Sequence, residues 1–339
     1  MVTMAAAIVL ASPVRAQRIH GTVTDAVTRR PIEGAFVSLR DVRDRSVFAV
    51  LTDSLGRFSL LAIEAGTYRV RAERIGQRTI SAGPFSLRTD TLIELSLLAT
   101  VAPIALDALV ADAGDRRCTV RPTAAAAARL WDEARKALEI TLWARGREDL
   151  DFRSHVYERD VALDGLLMNE TIRTVSGSGA QAFRVHDATE LARSGFARAT
   201  GDSVILHGAD AELLVSDVFL DAHCFEVVNG SRDDAHLVGL RFRPVARRGI
   251  PDIEGVLWLE RTTAELQRLE YNYVEIRSII ERGDVTGHTA FRRLPGGRWI
   301  IQTWWIRAPR LFRLGDITLF TGWHEQGGEV LEVRPAHVR

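Results

Sequence analysis

The sequence predicts a mainly β protein: an N-terminal seven-stranded β-sandwich, then a C-terminal curled antiparallel β-sheet packed on one long helix. Three observations carry that expectation. Residues 18–98 fall into short segments of alternating apolar and polar residues, separated by turn residues. Residues 123–144 repeat apolar side chains at steps of three and four. From Phe152 onward strand-like runs return, two of them joined by Pro295-Gly296-Gly297. Alternation buries one face of a strand, whereas steps of three and four place one stripe along a helix.

Composition bounds the function classes. The chain has 339 residues, room for two ordinary domains, with 46% hydrophobic and 26% charged residues. Its formal net charge is zero, which argues against a nucleic-acid partner, since phosphate neutralisation needs a basic face. Lys136 is the only lysine. Residues 1–16 are expected to be a signal peptide: Ala5–Ala11 is apolar, and Val14-Arg15-Ala16 precedes Gln17 as a small-residue cleavage site. No later apolar run reaches the roughly 18 residues of a membrane-spanning helix. In an exported chain the two cysteines, Cys118 and Cys224, are expected to form one disulfide; the alternative is two buried thiols.

The first domain is expected over 17–99. Ile19–Thr24, Ala35–Leu39, Phe58–Leu60 and Tyr68–Ala72 alternate, and Thr91–Leu97 is the last strand. Arg30-Pro31, Ser54-Leu55-Gly56 and Ala65-Gly66 supply turns, with Gly34 and Gly56 where positive φ is needed. Gly21-Thr22-Val23-Thr24-Asp25, Pro31 through Leu39, Thr52-Asp53-Ser54-Leu55-Gly56-Arg57-Phe58, Gly66 through Ala72 and Ile75-Gly76 follow one another in order. This succession resembles carboxypeptidase regulatory-like domains. The resemblance covers about a quarter of the chain. It implies a transthyretin-like, carbohydrate-binding-like sandwich that acts as an accessory domain and carries no catalytic residues.

Residues 100–122 read as a linker. Within it Ile104–Ala111 resembles the TonB box of outer-membrane receptors, but no barrel-length strand ladder follows. The second domain is expected over 123–339. Thr123 is placed to cap a helix to Ala144, with Leu130, Trp131, Ala134, Leu138 and Trp143 on one stripe. Strands are expected at Phe152–Leu163, Met168–Ser176, Ala182–Val185, Ser203–His207, Phe225–Val228, Leu237–Pro244, Gly255–Glu260, Ala264–Tyr273, Val285–Arg293, Arg298–Ile306 and Ile317–Trp323, with a helical turn over Asp217–His223. The hairpin formed by Gly255–Glu260 and Ala264–Tyr271 resembles hairpins of periplasmic lipoprotein carriers, which fold as half-barrels around a helix.

Residue patterns for catalysis fail on physical grounds. His155-Val156-Tyr157-Glu158 has the His-x-x-Glu spacing of zinc carboxypeptidases, but on a strand residues three apart face opposite ways. The nine histidines form no paired ligand motif, and His223 beside Cys224 loses its thiol partner to a disulfide. Val175-Ser176-Gly177-Ser178-Gly179 is not a nucleophile elbow, and no phosphate cradle occurs. Asp233-Asp234 and Asp149 with Asp151 read as solvated turns.

The candidate binding residues are aromatic. Along Trp299–Ile306 simple alternation places Trp299, Ile301, Thr303 and Trp305 on one face, and Ile300, Trp304 and Ile306 on the other. Trp258, Tyr271, Tyr273 and Trp323 are expected to join that surface. Aromatic platforms bind sugars and apolar half-barrels bind lipids. The functional expectation is an exported, non-enzymatic envelope protein of the periplasm or outer membrane. It docks a protein or glycan through its sandwich, possesses no cofactor, metal or transmembrane span, and holds an apolar ligand or partner strand on its sheet. The alternatives are a periplasmic lipid or lipoprotein carrier and a hydrolase.

Overall fold

A computed structural model describes residues 17–100, 118–145, 147, 149–178, 187–200, 203–246, 249–277, 280, 283–314 and 317–336. The signal segment, the TonB-box-like stretch and the strand expected over Ala182–Val185 lie outside these residues. The chain divides into two compact units, Met1–Arg74 with Arg78–Val101, and Ile75–Gln77 with Ala102–Arg339.

The first unit contains β1 (Gln17–Asp25), β2 (Phe36–Arg40), β3 (Ser46–Leu51), β4 (Arg57–Ala62), β5 (Gly66–Glu73), β6 (Ile80–Leu87) and β7 (Leu92–Ala99). They form two sheets, ordered β4-β1-β7 and β3-β2-β5-β6. Strand β1 is antiparallel to β4 and parallel to β7. Ile19, Val23, Leu39, Leu60, Val70 and Leu97 share one buried cluster. The recurring polar residues of this segment build its turns. Asp53 accepts hydrogen bonds from the backbone N–H of Arg57 and of Leu55, at 2.8 and 2.9 Å. Those bonds, the Arg57 N–H first, hold its carboxyl below the usual range. The Thr52 hydroxyl donates to Ile32 O and accepts from Ala35 N–H, joining two loops inside the sandwich. Gly56 takes φ +70°, and a Cβ there would lie 2.4 Å from Val23 O.

The second unit contains, in order, β8 (Thr119–Val120), α1 (Ala125–Arg145), β9 (Leu150–Ala162), β10 (Leu167–Ser178), α2 (Ala188–Ser194), β11 (Ala197–Thr200), β12 (Ser203–Leu206), α3 (Ala211–Val215), α4 (Asp217–Ala222), β13 (His223–Asn229), β14 (Leu237–Pro244), β15 (Asp252–Glu260), β16 (Leu266–Val274), β17 (Thr286–Arg293), β18 (Trp299–Leu314) and β19 (Ile317–Pro335). Ten strands form one open sheet in the order β10-β9-β19-β18-β17-β16-β15-β14-β13-β8. The meander from β13 to β19 thus ends beside β9, and among the described residues β11 pairs only with β12.

Helix α1 covers one face of this sheet. Leu130, Ala134 and Leu138 are buried along it, and the Trp131 ring lies 6.3 Å from that of Phe225. Opposed residues in an antiparallel pair share a face. Phe225 opposes Phe242, Phe242 opposes Gly255, and Gly255 opposes Tyr271, so this row marks the helix-covered side. One feature departs from the apolar stripe. Lys136 is buried on another side of the helix, with Nζ 2.6 Å from Glu133 and 3.1 Å from Asp132 and donating to Gln77 O at 2.9 Å. Burial pushes the Glu133 carboxyl up, against the opposing charge of Lys136.

Strand β19 runs to Pro335, well past the expected Trp323. Gly327-Gly328 reads as a break in the sequence, yet a Cβ at Gly327 would lie 2.4 Å from the Tyr157 hydroxyl and one at Gly328 2.6 Å from Trp304 Nε1. The glycines leave room for two rings inside a continuous strand.

The sheet edges differ. Strand β8 is two residues long and pairs with Cys224 and Phe225. The Cys118–Cys224 disulfide, with Cα atoms 5.1 Å apart, ties it down. His223 is buried with Nδ1 2.9 Å from Phe219 O and Nε2 3.2 Å from Ile253 O, which is a packing role. The bridge spans 106 residues, and closing such a loop constrains the unfolded chain by about 4–5 kcal/mol. Replacing both cysteines by serine lowers the urea midpoint of the second unit correspondingly, and reducing the wild-type protein reproduces the loss in the same titration.

Candidate functional site

The face of the sheet away from α1 carries a continuous band of rings, guanidinium groups and carboxylates. Glu270 opposes His288, His288 opposes Trp305, Trp305 opposes Gly327 and Gly327 opposes Tyr157, so one row crosses β16, β17, β18, β19 and β9. Tyr271, next to Glu270, faces α1, which puts this row on the outer side.

At one end the Trp258 indole N–H donates to Glu270 at 2.8 Å. Arg268 donates to Glu270 at 2.9 Å and to Asp234 at 2.8 Å, and its guanidinium lies 5.8 Å from the Trp258 ring. In the middle His288 stacks on Trp305, with centroids 5.5 Å apart and planes within 10°. Burial lowers the His288 pKa, opposed by the nearby Glu270 charge. The Arg307 guanidinium lies 5.0 Å from the Trp305 centroid.

At the other end Glu325 is 0% exposed. One carboxylate oxygen accepts from Arg307 Nε at 2.8 Å, and the other from Arg159 Nε at 2.9 Å and the Tyr157 hydroxyl at 3.1 Å. Arg159 also lies over the Tyr157 ring at 4.6 Å. A buried carboxylate without its cations is costly by several kcal/mol, and the two guanidinium groups supply that compensation to Glu325. Burial first, then the Glu325 charge, pushes the Tyr157 phenol up to about 12.

The aromatic residues expected to share one surface are divided. Trp258, Trp305 and Trp323 lie on the outer face, half-buried. Tyr271, Tyr273 and Trp299 are buried. Tyr271 accepts from Ala209 N–H at 3.4 Å, and Tyr273 donates to His207 O at 2.8 Å. Trp304 opposes Thr289, which opposes Leu269, on the helix-covered side. The alternation along Trp299–Ile306 breaks because Ala290 pairs with Thr303 while Phe291 pairs with Ile301. That bulge at Gln302 puts Ile301 and Thr303 on opposite faces.

Sequence reasoning did not find Tyr157, Arg159, Glu270, His288, Arg307 or Glu325. A signal existed in the i,i+2 pairs Tyr157-x-Arg159, Arg268-x-Glu270 and Trp305-x-Arg307, which alternation places on one face. His155 and Glu158 lie on β9, on opposite faces, as the strand reading requires. Among the described residues no group of three or more His, Cys, Asp or Glu side chains is placed to hold a metal ion.

Residues 18–97 match the family model of the carboxypeptidase regulatory-like domain, and that stretch is such a domain. No curated protein matches the chain. Among solved structures, the chain is similar to the group B streptococcus pilus 2b backbone protein at 12% identity, over 25% of this chain and 41% of the pilin, with a TM-score of 0.20. It therefore spans less than half of that relative. It is similar to the 5-hydroxyisourate hydrolase of Klebsiella pneumoniae at 19% identity, over 25% of this chain and 91% of the hydrolase, with a TM-score of 0.21. A putative carbohydrate binding protein from Bacteroides uniformis is 10% identical over 76% of this chain and 95% of its own, with a TM-score of 0.23. Likenesses this slight carry no inference about function.

All four tyrosines, Tyr68, Tyr157, Tyr271 and Tyr273, have phenols raised above the ordinary value, chiefly by burial. A raised phenol stabilises the fold fully below the unfolded pKa near 10, and that stability is lost as pH rises through the folded value. Most of the tyrosinate absorbance is therefore expected to appear above pH 10, with Tyr157 and Tyr271 titrating together with loss of structure near pH 12. Tyr157 or Tyr271 titrating near 10 in the folded protein contradicts these environments.

Proposed function

We propose that this is a non-enzymatic binding protein working outside the cytoplasm, and that the outer band of its second unit docks a protein partner. The observation that carries this reading is the covering of the rings. The Arg268, Arg307 and Arg159 guanidinium groups lie over the Trp258, Trp305 and Tyr157 rings at 5.8, 5.0 and 4.6 Å from the centroids. A sugar platform needs bare aromatic faces. Trp, Tyr and Arg gathered on a rigid, half-buried surface are instead the side chains that dominate protein interfaces. Glu270, Glu325 and Asp234 hold the guanidinium groups in place before binding, which lowers the ordering cost of association. A Cys118–Cys224 bridge suits an oxidising compartment. The carboxypeptidase regulatory-like domain supports an accessory, non-catalytic role.

A photo-crosslinking residue at Thr303, on the band between Ala290 and Glu329, tests this in the native cell. The expected outcome is a discrete protein adduct that is absent when the probe sits at Val27, an exposed site on the sandwich, and that is lost in Trp305→Ala. Identical adducts at both sites contradict the reading. So does an adduct digested by glycosidases but not by proteases, which assigns the band to a glycan.

A further inference from the structure

We propose that strand β10, the open edge of the ten-stranded sheet, pairs antiparallel with β10 of a second copy of this chain across a two-fold axis. The two edges of the sheet are unlike. One ends on β8, which is two residues long and held by the disulfide. The other ends on β10, which is twelve residues long and among the described residues pairs only with β9. Every residue of 167–177 is exposed, so both faces of the strand and its outer rim are open. Such an edge presents a row of backbone N–H and C=O groups to any strand that fits. Proline, lysine and mid-strand bulges commonly blunt an edge. Strand β10 has no proline or lysine, and its one register shift, between Leu167 and Asn169, lies at its start.

What fits is a second β10, because its side chains select one self-pairing. Opposed residues of an antiparallel pair share a face, and faces alternate along the strand, so the two-fold axis must pass through a residue position. An axis at Glu170 or at Arg173 sets like charges against each other. An axis at Thr171 sets each Ile172 against Glu170. Axes further out leave more of the strand unpaired. An axis at Ile172 opposes the two Ile172 side chains, and sets Glu170 against Thr174 and Arg173 against Thr171. Ile172 is 50% exposed and lies beside Tyr157 on the outer face, so each isoleucine covers the other. On the opposite face Arg173 is exposed and makes no ion pair with a described residue. In this pairing it lies opposite Thr171 of the second copy, whose neighbour on β9 is Glu158. Glu158 is 59% exposed and also meets His324 at 3.1 Å. Two strand spacings, about 9.5 Å, fall within the combined reach of an arginine and a glutamate, and the two-fold axis makes this contact twice.

The short, tied-down edge at β8 leaves each copy one open edge of this sheet, so the isologous contact closes at two copies. The axis stands perpendicular to the sheet, so both outer bands face the same way. The row His288, Trp305, Gly327, Tyr157, Ile172 then continues into the second copy. The pairing rests on the edge alone and is independent of what the band docks.

The test is analytical ultracentrifugation of the purified full chain, joined to cysteine crosslinking. Wild-type protein is expected to dimerise reversibly as its concentration rises. Ile172→Lys sets two like charges opposite each other at an exposed position and is expected to weaken the dimer about tenfold or more. Thermal unfolding run alongside confirms that this variant folds. Opposed Cα atoms lie about 4.5–5.5 Å apart, inside the range that a disulfide spans. Ile172→Cys is therefore expected to give a disulfide-linked dimer on mild oxidation. Val175→Cys, equally exposed, is expected to give none, because the axis at Ile172 places its two copies about 20 Å apart along the strands. A wild-type chain that stays monomeric overturns the proposal and leaves the edge to a strand of another protein. A folded Ile172→Lys variant that dimerises as wild type does also overturns it, as does equal crosslinking through Ile172→Cys and Val175→Cys.

Discussion

The pairing of β19 with β9, fixed by the buried carboxylate of Glu325, is the constraint on which the second unit depends. It joins the last strand of the meander to a hairpin that the chain made about 165 residues earlier. Glu325 takes hydrogen bonds from Arg159 on β9 and Arg307 on β18, so one side chain spans three strands. A one-residue slip in any of them would turn these groups to opposite faces. The buried charge makes such a slip costly, because a carboxylate deprived of its cations has no solvent to return to.

Both faces of the sheet follow from that register. On one side Phe225, Phe242 and Tyr271 meet α1 and the segment before α3. On the other side the same alternation presents His288, Trp305 and Tyr157 with their guanidinium partners. Gly327 lets Tyr157 lie across β19, so the ring and the clamp occupy neighbouring positions without forcing the strands apart. The sandwich is organised by shorter-range rules. Thr52, Asp53 and Gly56 tie loops locally, so residues that mark its family build its turns.

Much of this was legible in the sequence. Turn chemistry and alternation specify the sandwich, and the stripe through Leu130, Ala134 and Leu138 specifies α1, because these signals are local. The candidate site was legible only in part. Trp258, Trp305 and Trp323 reach the outer face, but Tyr271, Tyr273 and Trp299 are core residues. A bulge at Gln302 reverses the face of everything before it, and nothing in a period-two pattern marks it. The clamp was illegible for a different reason. Arg159 and Glu325 lie 166 residues apart, and only the closing pair of strands brings them together. Lys136, buried against Glu133 and Gln77 O on a side of α1 away from that stripe, overturns the plain rule that charge marks a solvent face.

Hydrogen exchange on Glu325→Gln tests the central claim most directly. Removing the charge leaves the two guanidinium groups one neutral amide oxygen in place of a carboxylate, while barely changing the shape of the side chain. If the clamp holds the sheet, backbone amides in β9, β18 and β19 exchange faster in the variant, whereas those of the sandwich keep the wild-type rate. Unchanged exchange across the three strands would show that their register rests on other contacts, and the account of the outer face would lose its foundation.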